Sequence, residues 1–459
     1  MVTKFINLWF RLRASLWFVP SLMVIGSMVL SFLAIFADET LQLVWLQDSQ
    51  SVYSGGAEGA RAVLATIAGS MISVAGLTFS ITIVTLTLAS SQFGPRLLRN
   101  FMRDLGNQIV LGTFIATFVY CLLVLRRVTD TSDGQFVPHV SITIGIVLAL
   151  VSLGVLIYFI HHTSVSIQAN TVIAAVSEDL HHAIERLFPE RMGERGQDPT
   201  ETLDNMGLEP GTAPYGEPIL AQASGYIQVI DGDHLMQLAM QHDVILRLEH
   251  KPGDFAIEGC PLAILWPAVK ADDALAASLN RGFVLGSERT YAQDVGFAID
   301  QLVEIACRAL SPGINDPFTA VACVDRIGVA LCQLAERVMP SSYRYDADAR
   351  LRVIAPTMTF LDISDKAITP IRQYCRTSII VTLRLLEIIA LVASHVHREE
   401  DRQALSRQVD MIQQGSLEGL PVEPDRYRVE KSYQEALQAL GMAQTMPRNL
   451  ADEQDVVSS

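Results

Sequence analysis

The chain lacks the short motifs of the common enzyme families. Its 459 residues contain no GxGxxG or Walker loop, no HExxH helix and no GxSxG elbow. Its six cysteines show no CxxC spacing, which argues against a disulfide framework or a zinc ribbon. Adjacent histidines such as His161 and His162 point about 100° apart on a helix and are poorly placed to bind one metal ion. The sequence therefore predicts no catalytic residues, no metal site and no cofactor.

Charged residues are also scarce. They make up 18% of the chain and the mean hydropathy is +0.31, values that are unusual for a soluble enzyme. Residues 1–163 hold nine Lys and Arg against seven Asp and Glu, which leaves 25 basic and 42 acidic residues, a net charge of −17, for the remainder. A nearly neutral part therefore precedes a strongly acidic part, and no nucleic acid is expected as a partner.

The chain does have four long apolar stretches. Residues 16–37, 62–91, 108–125 and 140–160 are each long enough to cross a bilayer, which takes about 20 residues of helix. None carries an acid or a base near its middle, whereas coupled transporters usually place such groups inside the membrane. The pattern predicts an α-helical membrane domain over residues 1–163 with four transmembrane helices, and it disfavours proton-coupled transport.

The basic residues of the short loops predict the orientation. Three of them precede the first stretch, and Arg96, Arg99 and Arg103 lie between the second and third. The loop 38–59 has four acidic residues and no Lys or Arg. The positive-inside rule then places both termini in the cytoplasm, and only the basic pair 126–127 disagrees. We expect a multi-pass protein of a bacterial inner membrane in contact with its lipid.

Small and hydroxylated residues follow one side of the second stretch. At about 100° per residue they fall within roughly a third of the helix circumference. The stripe consists of Thr66, Gly69, Ser70, Ser73, Gly76, Ser80, Val84, Thr87 and Ser91. Hydroxyls gain nothing from facing acyl chains, so we expect this side to meet protein, water or ions.

Two interpretations of the stripe stay open. Small residues form contact seams between membrane helices, which makes a packing role plausible. A helix of this length spans roughly 45 Å, and a seam rarely needs hydroxyls along all of it, which favours a pore lining. One helix cannot enclose a pore, so that interpretation requires a homo-oligomer. Arg96, Arg99 and Arg103 then either form a ring at the pore mouth or anchor the chain at lipid headgroups, while acidic segments on both sides favour cations.

Beyond the membrane domain the sequence predicts a cytoplasmic α+β domain. Residues 164–218 are expected to extend the last span and then form a linker, residues 219–270 to form a small β-barrel-like subdomain, residues 271–445 to form a helical subdomain, and residues 446–459 to be a disordered tail. The turn 251–262 resembles the corner of a biotinyl or lipoyl carrier barrel, without the lysine that such carriers modify.

Two details of the helical subdomain are predicted from its prolines. One long helix over residues 364–396 is expected to break near Pro370, because proline cannot donate the helical hydrogen bond. Residues 350–360 are expected to hold a strand or a β-hairpin, since two short β-branched runs flank a proline there.

The loop 311–319 between two predicted helices is a candidate site. Asp316 followed by Pro317 is the ordinary start of a helix, with the carboxylate as cap. Alternatively, the amides at that helix start, with Arg308 one turn back, bind a phosphate or carboxylate, although Asp316 would oppose an anion. Asn315 and Asp316 are also candidates for contact with a cation or a neighbouring subunit.

Four strings carry a resemblance to a known family. They are Ser90-Ser-Gln-Phe-Gly-Pro-Arg-Leu-Leu-Arg-Asn100, Pro252-Gly-Asp-Phe255, Gln293-Asp294 and Leu310-Ser-Pro-Gly-Ile-Asn-Asp-Pro-Phe-Thr-Ala320. With them the chain resembles, over nearly its whole length, the bacterial predicted-membrane-protein family known as domain of unknown function twenty-two fifty-four. The resemblance implies an inner-membrane location and no particular substrate.

The sequence thus leads to two hypotheses about function. The first is a homo-oligomeric ion channel or passive conduit whose second transmembrane helix lines the pore, with a weak preference for cations and a cytoplasmic domain that assembles or gates it. The second is a membrane-anchored sensor or scaffold whose cytoplasmic domain binds a ligand or partner, with the stripe serving helix packing only.

Overall fold

The computed structural model describes residues 17–40, 53, 55–94, 104–131, 134–188, 216–267 and 272–442. Contacts between residues divide the chain into two compact units, Met1–Val172 and Ile173–Ser459. Each unit is described by itself below. The finer predicted boundaries at residues 163, 218, 270 and 445 stay predictions.

The described part of the first unit contains four long helices. They are α1 (Phe18–Thr40), α2 (Ala57–Phe93), α3 (Leu105–Leu125) and α4 (His139–Ser166), with a short hairpin of β1 (Thr129–Thr131) and β2 (Gly134–Phe136) before the last. α3 lies centrally, packing against the other three. Leu64, Tyr120 and Ile142, from three different helices, are fully buried in the shared core. All four helices are long and apolar enough to cross a membrane.

Asp38 joins the end of α1 to the start of α4. Its Oδ1 accepts a hydrogen bond from Val140 N at 3.0 Å, and its Oδ2 accepts from Ser141 N at 2.9 Å and Ser141 Oγ at 2.6 Å. Tyr120 Oη donates to the carbonyl of the same serine at 3.0 Å. A carboxylate is the preferred partner for the unpaired amides of a helix start, so Asp38 caps α4 from a neighbouring helix.

The predicted count of four transmembrane helices is not confirmed. A fifth helix, α9 (Pro317–Ala335), also has the length and composition of a span. It belongs to the second unit, where half of its apolar window is buried, and it packs against neighbouring helices of that unit. The predicted extension of the last span is interrupted at residues 167 and 168, after which α5 (Ala169–Leu187) begins.

The β-rich part of the second unit contains two sheets. Two short helices, α6 (Gly232–Gln241) and α7 (Asp273–Arg281), lie among its strands in sequence. The strands are β3 (Glu217–Leu220), β4 (Gly225–Ile230), β5 (Ile245–Leu248), β6 (Phe255–Ala256), β7 (Pro261–Trp266), β8 (Phe283–Gly286), β9 (Tyr343–Tyr345) and β10 (Leu351–Ile354). The sheet orders are β3-β7-β5-β10-β9 and β6-β4-β8. Neither order closes on itself in the described residues, so two sheets replace the expected barrel.

The sheets also recruit strands from beyond residue 270. β8 pairs antiparallel with β4, and β10 pairs parallel with β5 across about a hundred residues of sequence. Leu246, Leu265 and Val353 from adjacent strands share one core with Leu235 of α6. The β-rich region is therefore not a contiguous segment.

The helical part consists of α8 (Val295–Ala309), α9, α10 (Phe360–Cys375), α11 (Ile379–Ala393), α12 (Glu399–Gly419) and α13 (Glu423–Ala439). The expected break at Pro370 is wrong: Pro370 lies inside α10, and the chain turns at residues 376–378. There the carbonyl of Cys375 accepts from Ser378 N at 2.8 Å and from Thr382 Oγ1 at 3.1 Å.

Of the strand or hairpin expected over residues 350–360, the strand is confirmed. β10 forms, but its antiparallel partner is β9, which precedes it in sequence. The expected second run, residues 357–360, contributes no strand. Thr359 instead forms a capping box with Asp362, and α10 begins at Phe360.

Candidate pore-lining face

The two sides of α2 differ in chemistry and in burial. The side that packs on the neighbouring helices is mostly alanine, with Leu64, Thr78, Thr85 and Phe93 as its larger members. All nine residues of the predicted stripe lie on the other side and are exposed: Thr66, Gly69, Ser70, Ser73, Gly76, Ser80, Val84, Thr87 and Ser91. No described helix of the first unit covers the stripe within one chain.

The glycines of the stripe show how open this face is. A Cβ built on Gly69 or Gly76 would meet no atom within 4 Å. Glycines that serve close helix packing behave differently, as at Gly112 of α3, where an added Cβ would overlap Met23 and approach the backbone of Pro20 at 3.2 Å. Among the described residues of its own unit, the stripe therefore forms no packing seam.

The hydroxyls of the stripe bond to the helix itself. Ser73 Oγ donates to the carbonyl of Gly69 at 2.8 Å, and Ser80 Oγ donates to that of Gly76 at 2.9 Å. Four further hydroxyls of the stripe donate in the same way to the preceding turn; they belong to Thr66, Ser70, Thr87 and Ser91. This bonding lets polar side chains stand in an apolar helix without an unpaired donor.

Large apolar side chains lie beside the stripe and also within it. Phe79 is 51% exposed and Ile83 is 43% exposed along one edge, while Leu77, which is 58% exposed, falls inside the arc of the stripe at 100° per residue. Such side chains suit acyl chains or a neighbouring subunit. Arg96, Arg99 and Arg103, the predicted pore-mouth or headgroup residues, lie outside the described residues.

At the loop 311–319, the structure confirms the helix-cap prediction for Asp316. Its Oδ1 accepts from the amides of Phe318 and Thr319, each at 3.1 Å, and its Oδ2 accepts from Thr319 Oγ1 at 2.6 Å. The Thr319 hydroxyl is the main reason that the pKa of Asp316 is lowered. These contacts occupy the amides that an anion would need.

The other two residues of the predicted loop site, Arg308 and Asn315, differ in their surroundings. Arg308 lies 3.7 Å from Glu304 of its own helix, measured from Nε to Oε1. Asn315 is exposed and has φ +51°, a left-handed conformation that asparagine tolerates. The loop turns locally to start α9, and its geometry gives no support to the predicted phosphate or carboxylate site.

The histidines and cysteines behave as ordinary side chains. His181 Nδ1 lies 3.1 Å from Gln333 Oε1, and His395 Nδ1 lies 2.7 Å from Glu336 Oε1. No set of three metal-binding side chains converges anywhere in the described part of the chain. Cys307 is a free thiol, and burial raises its pKa to about 12, which keeps it protonated and unreactive.

A buried polar cluster that was not predicted from the sequence joins the sheets to the helices of the second unit. It consists of Arg289, Asp294, Asp300 and Lys366. Arg289 Nε donates to Asp294 Oδ2 at 2.8 Å, and Lys366 Nζ lies 2.8 Å from Asp300 Oδ1. Asp294 is only 3% exposed, and its burial raises its pKa although Arg289 opposes the rise.

The residue before Asp294 extends the same junction. Gln293 Oε1 accepts from Ile230 N at 2.8 Å and Gln293 Nε2 donates to Ile230 O at 3.1 Å, so one side chain completes the end of β4. Two of the family strings, Pro252–Phe255 and Gln293–Asp294, also meet here, since a Cβ built on Gly253 would overlap Asp294 Oδ2. The spacing of the two strings in the sequence does not predict this contact, because the contact forms only once β4 and α8 are folded.

The fold and the apolar helices define a multi-pass membrane protein that carries a soluble α+β region. The chain belongs to the family described as Predicted membrane protein (DUF2254), whose model matches residues 13–390. The resemblance drawn from the four strings is thereby confirmed. The chain is similar to two uncharacterized proteins, Mb1321c of Mycobacterium bovis and Rv1290c of Mycobacterium tuberculosis. Each is 33% identical over 384 residues, which cover 82% of this chain and 72% of the relative. No solved structure matches this chain.

Proposed function

We propose that the protein is a homo-oligomeric channel of a bacterial inner membrane, in which copies of α2 surround a passive pathway for inorganic ions. Both termini lie in the cytoplasm, and the second unit assembles or gates the pore. The observation that carries the proposal is the exposure of the whole stripe of α2, which no described helix of its own unit covers.

The stripe suits ions and water better than it suits lipid. Glycine and serine offer acyl chains little contact area, whereas the apolar residues that flank the stripe offer much more. A ring of α2 helices would place the stripe inside, with Leu77 among its small residues, and the apolar residues beside it, such as Phe79 and Ile83, at the contacts between copies. α2 has 37 residues, about 55 Å of helix, and so exceeds the hydrocarbon core of about 30 Å.

Purified full-length protein in a planar bilayer is expected to pass ionic current. Ser73→Leu and Ser80→Leu should each reduce the single-channel conductance at least about threefold, because a bulky apolar side chain narrows and dewets a pore. Ser164→Leu is the matched control: Ser164 is an exposed serine of α4 with the same hydrogen bond to its preceding turn, at 2.7 Å, and lies outside the stripe.

The conductance of the control should equal that of the unaltered protein. Absence of current over a range of salts, voltages and membrane tensions would contradict the proposal. Equal loss in all three variants would contradict the assignment of the pore to the stripe.

A further inference from the structure

An open cavity in the second unit is lined by both aliphatic and charged side chains. It measures about 250 Å³ and lies where α11 packs between α9 and α13. Its lining consists of Val321, Ile379, Ile380, Leu383, Arg384, Glu387 and Arg428. Four aliphatic side chains and three charged ones thus face the same space. Ligand clefts for drug-sized molecules are typically ~300–1,000 Å³, so this cavity suits a smaller molecule.

The charges around the cavity are of both signs and are only partly paired. Arg384 Nε donates to Asp325 Oδ1 at 2.6 Å, and Arg384 Nη1 donates to Glu387 Oε2 at 2.8 Å. One guanidinium therefore binds two carboxylates. Glu387 is about half exposed, and its second oxygen, Oε1, accepts no hydrogen bond from the described residues.

Arg428 supplies the balancing positive charge. It is exposed on α13 and forms no ion pair with any residue that the structure describes. Together with Asp325, Arg384 and Glu387 it gives two positive and two negative groups, a sum of zero. The cavity therefore offers one unpaired cation, one half-occupied carboxylate and an aliphatic wall.

We propose that this cavity binds an apolar α-amino acid as its zwitterion. The ligand carboxylate pairs with Arg428, the ligand ammonium pairs with Glu387 Oε1, and the aliphatic side chain lies against Ile379, Ile380 and Leu383. A simple anion would leave Glu387 facing it with a like charge, and a simple cation would face Arg428 in the same way. An uncharged apolar molecule would cover both charged groups without pairing them, which costs free energy.

One of the family strings lies beside this site. Phe318, the aromatic residue of the Leu310–Ala320 string, is 71% exposed and stands one helical turn before Val321 on α9. The loop thus positions the wall of the cavity, although its own amides are occupied. The proposal does not depend on conduction: a protein that passes no current would bind the amino acid equally.

The test is equilibrium dialysis of radiolabelled L-leucine with full-length protein in lipid nanodiscs, with empty nanodiscs as background. Saturable binding of one leucine per chain is expected. Two truncated analogues test the charge pairing. Isocaproate lacks the ammonium and isoamylamine lacks the carboxylate, and each should compete at least about tenfold more weakly than leucine, since a charge-assisted hydrogen bond is lost in each.

Variants then assign the two charged partners. Arg428→Gln should weaken leucine binding about tenfold and leave isoamylamine unchanged, whereas Glu387→Gln should weaken leucine and isoamylamine together. Glutamine at 387 can still accept the bond from Arg384. Arg407→Gln on α12 is the matched control, because Arg407 is likewise an exposed arginine without an ion pair in the described residues, and it lies outside the cavity.

Several results would overturn the assignment. These are no saturable binding of leucine, isocaproate competing as well as leucine, or unchanged leucine affinity in Arg428→Gln. A changed subunit number in Arg428→Gln without any leucine binding would instead make this face a contact between copies. If Arg428→Gln fails to fold, the competition by the two analogues on the unaltered protein still decides.

Discussion

At the scale of single residues, two glycines of the turn 251–262 share a backbone conformation that favours glycine, but only one of them also lacks room for a side chain. Gly253 has φ +94° and Gly259 has φ +82°, so both occupy a conformation that other residues rarely adopt. An added Cβ at Gly253 would overlap Asp294 Oδ2, whereas one at Gly259 would meet no atom within 4 Å. Glycine is thus required at position 253 for two reasons: the positive φ of its backbone and the lack of room for a Cβ beside Asp294.

Gly253→Ala is therefore expected to destabilise the second unit more than Gly259→Ala. The backbone term of about 1–2 kcal/mol is common to both, and Gly253→Ala adds the displacement of Asp294 from Arg289, which brings the total to about 3 kcal/mol or more. Thermal unfolding of the full-length variants, followed by intrinsic fluorescence, measures the difference. Equal shifts in Tm would show that Asp294 moves aside without cost.

At the scale of elements, long periodic helices were predictable and tertiary strand pairing was not. Residues 62–91 were predicted from composition, and α2 extends them by five residues at one end and two at the other. The parallel pairing of β10 with β5 joins segments about a hundred residues apart, and no local pattern specifies it. The prediction that Pro370 ends a helix was wrong, because the packed helix α10 keeps this proline in its interior. The helix ends instead at the hydrogen bonds to the carbonyl of Cys375.

The candidate sites also differ in how far the sequence predicts them, because local spacing determines some of them and tertiary packing determines the others. Periodicity alone placed all nine stripe residues on one face, since a regular helix converts spacing directly into angle. The link from Asp294 to Arg289 and the cavity around Arg428 both depend on how separate helices pack, which spacing does not encode.

The two interpretations of α2 make different predictions for water access. In a background where the exposed Cys260 is replaced by serine, cysteines introduced as Ser73→Cys, Gly76→Cys and Ser80→Cys should react with a membrane-impermeant thiol reagent if they line a pore. The remaining cysteines are buried or partly buried. Protection of all three introduced cysteines in every condition, by mass spectrometry of intact protein, would favour the packing interpretation.

At the scale of the whole molecule, the distribution of charge affects conduction. The part after residue 163 carries a net charge of −17, and Glu58 adds an exposed acid in the first turn of α2. Such fields concentrate cations near a pore and are screened by salt, with a Debye length of ~30 Å at 0.01 M and ~3 Å at 1 M.

Reversal potentials in a KCl gradient should therefore show a preference for K⁺ that is strong near 0.01 M and weaker near 1 M. Glu58→Gln should reduce the preference at low salt and leave it unchanged at high salt, since it removes one charge without altering the width of a pore. A preference for Cl⁻, or one that does not vary with salt, would contradict the electrostatic explanation.

The self-bonded hydroxyls of α2 have a consequence for the ions that this surface can solvate. A serine hydroxyl has a single proton, and in Ser73 and Ser80 that proton is directed at a carbonyl of the preceding turn. Only oxygen lone pairs then point outward. Lone pairs can replace part of the hydration shell of K⁺ or Na⁺, but they offer nothing to Cl⁻, which needs donors. The face would then discriminate by the direction of its protons, even at salt concentrations where the distant carboxylates are fully screened.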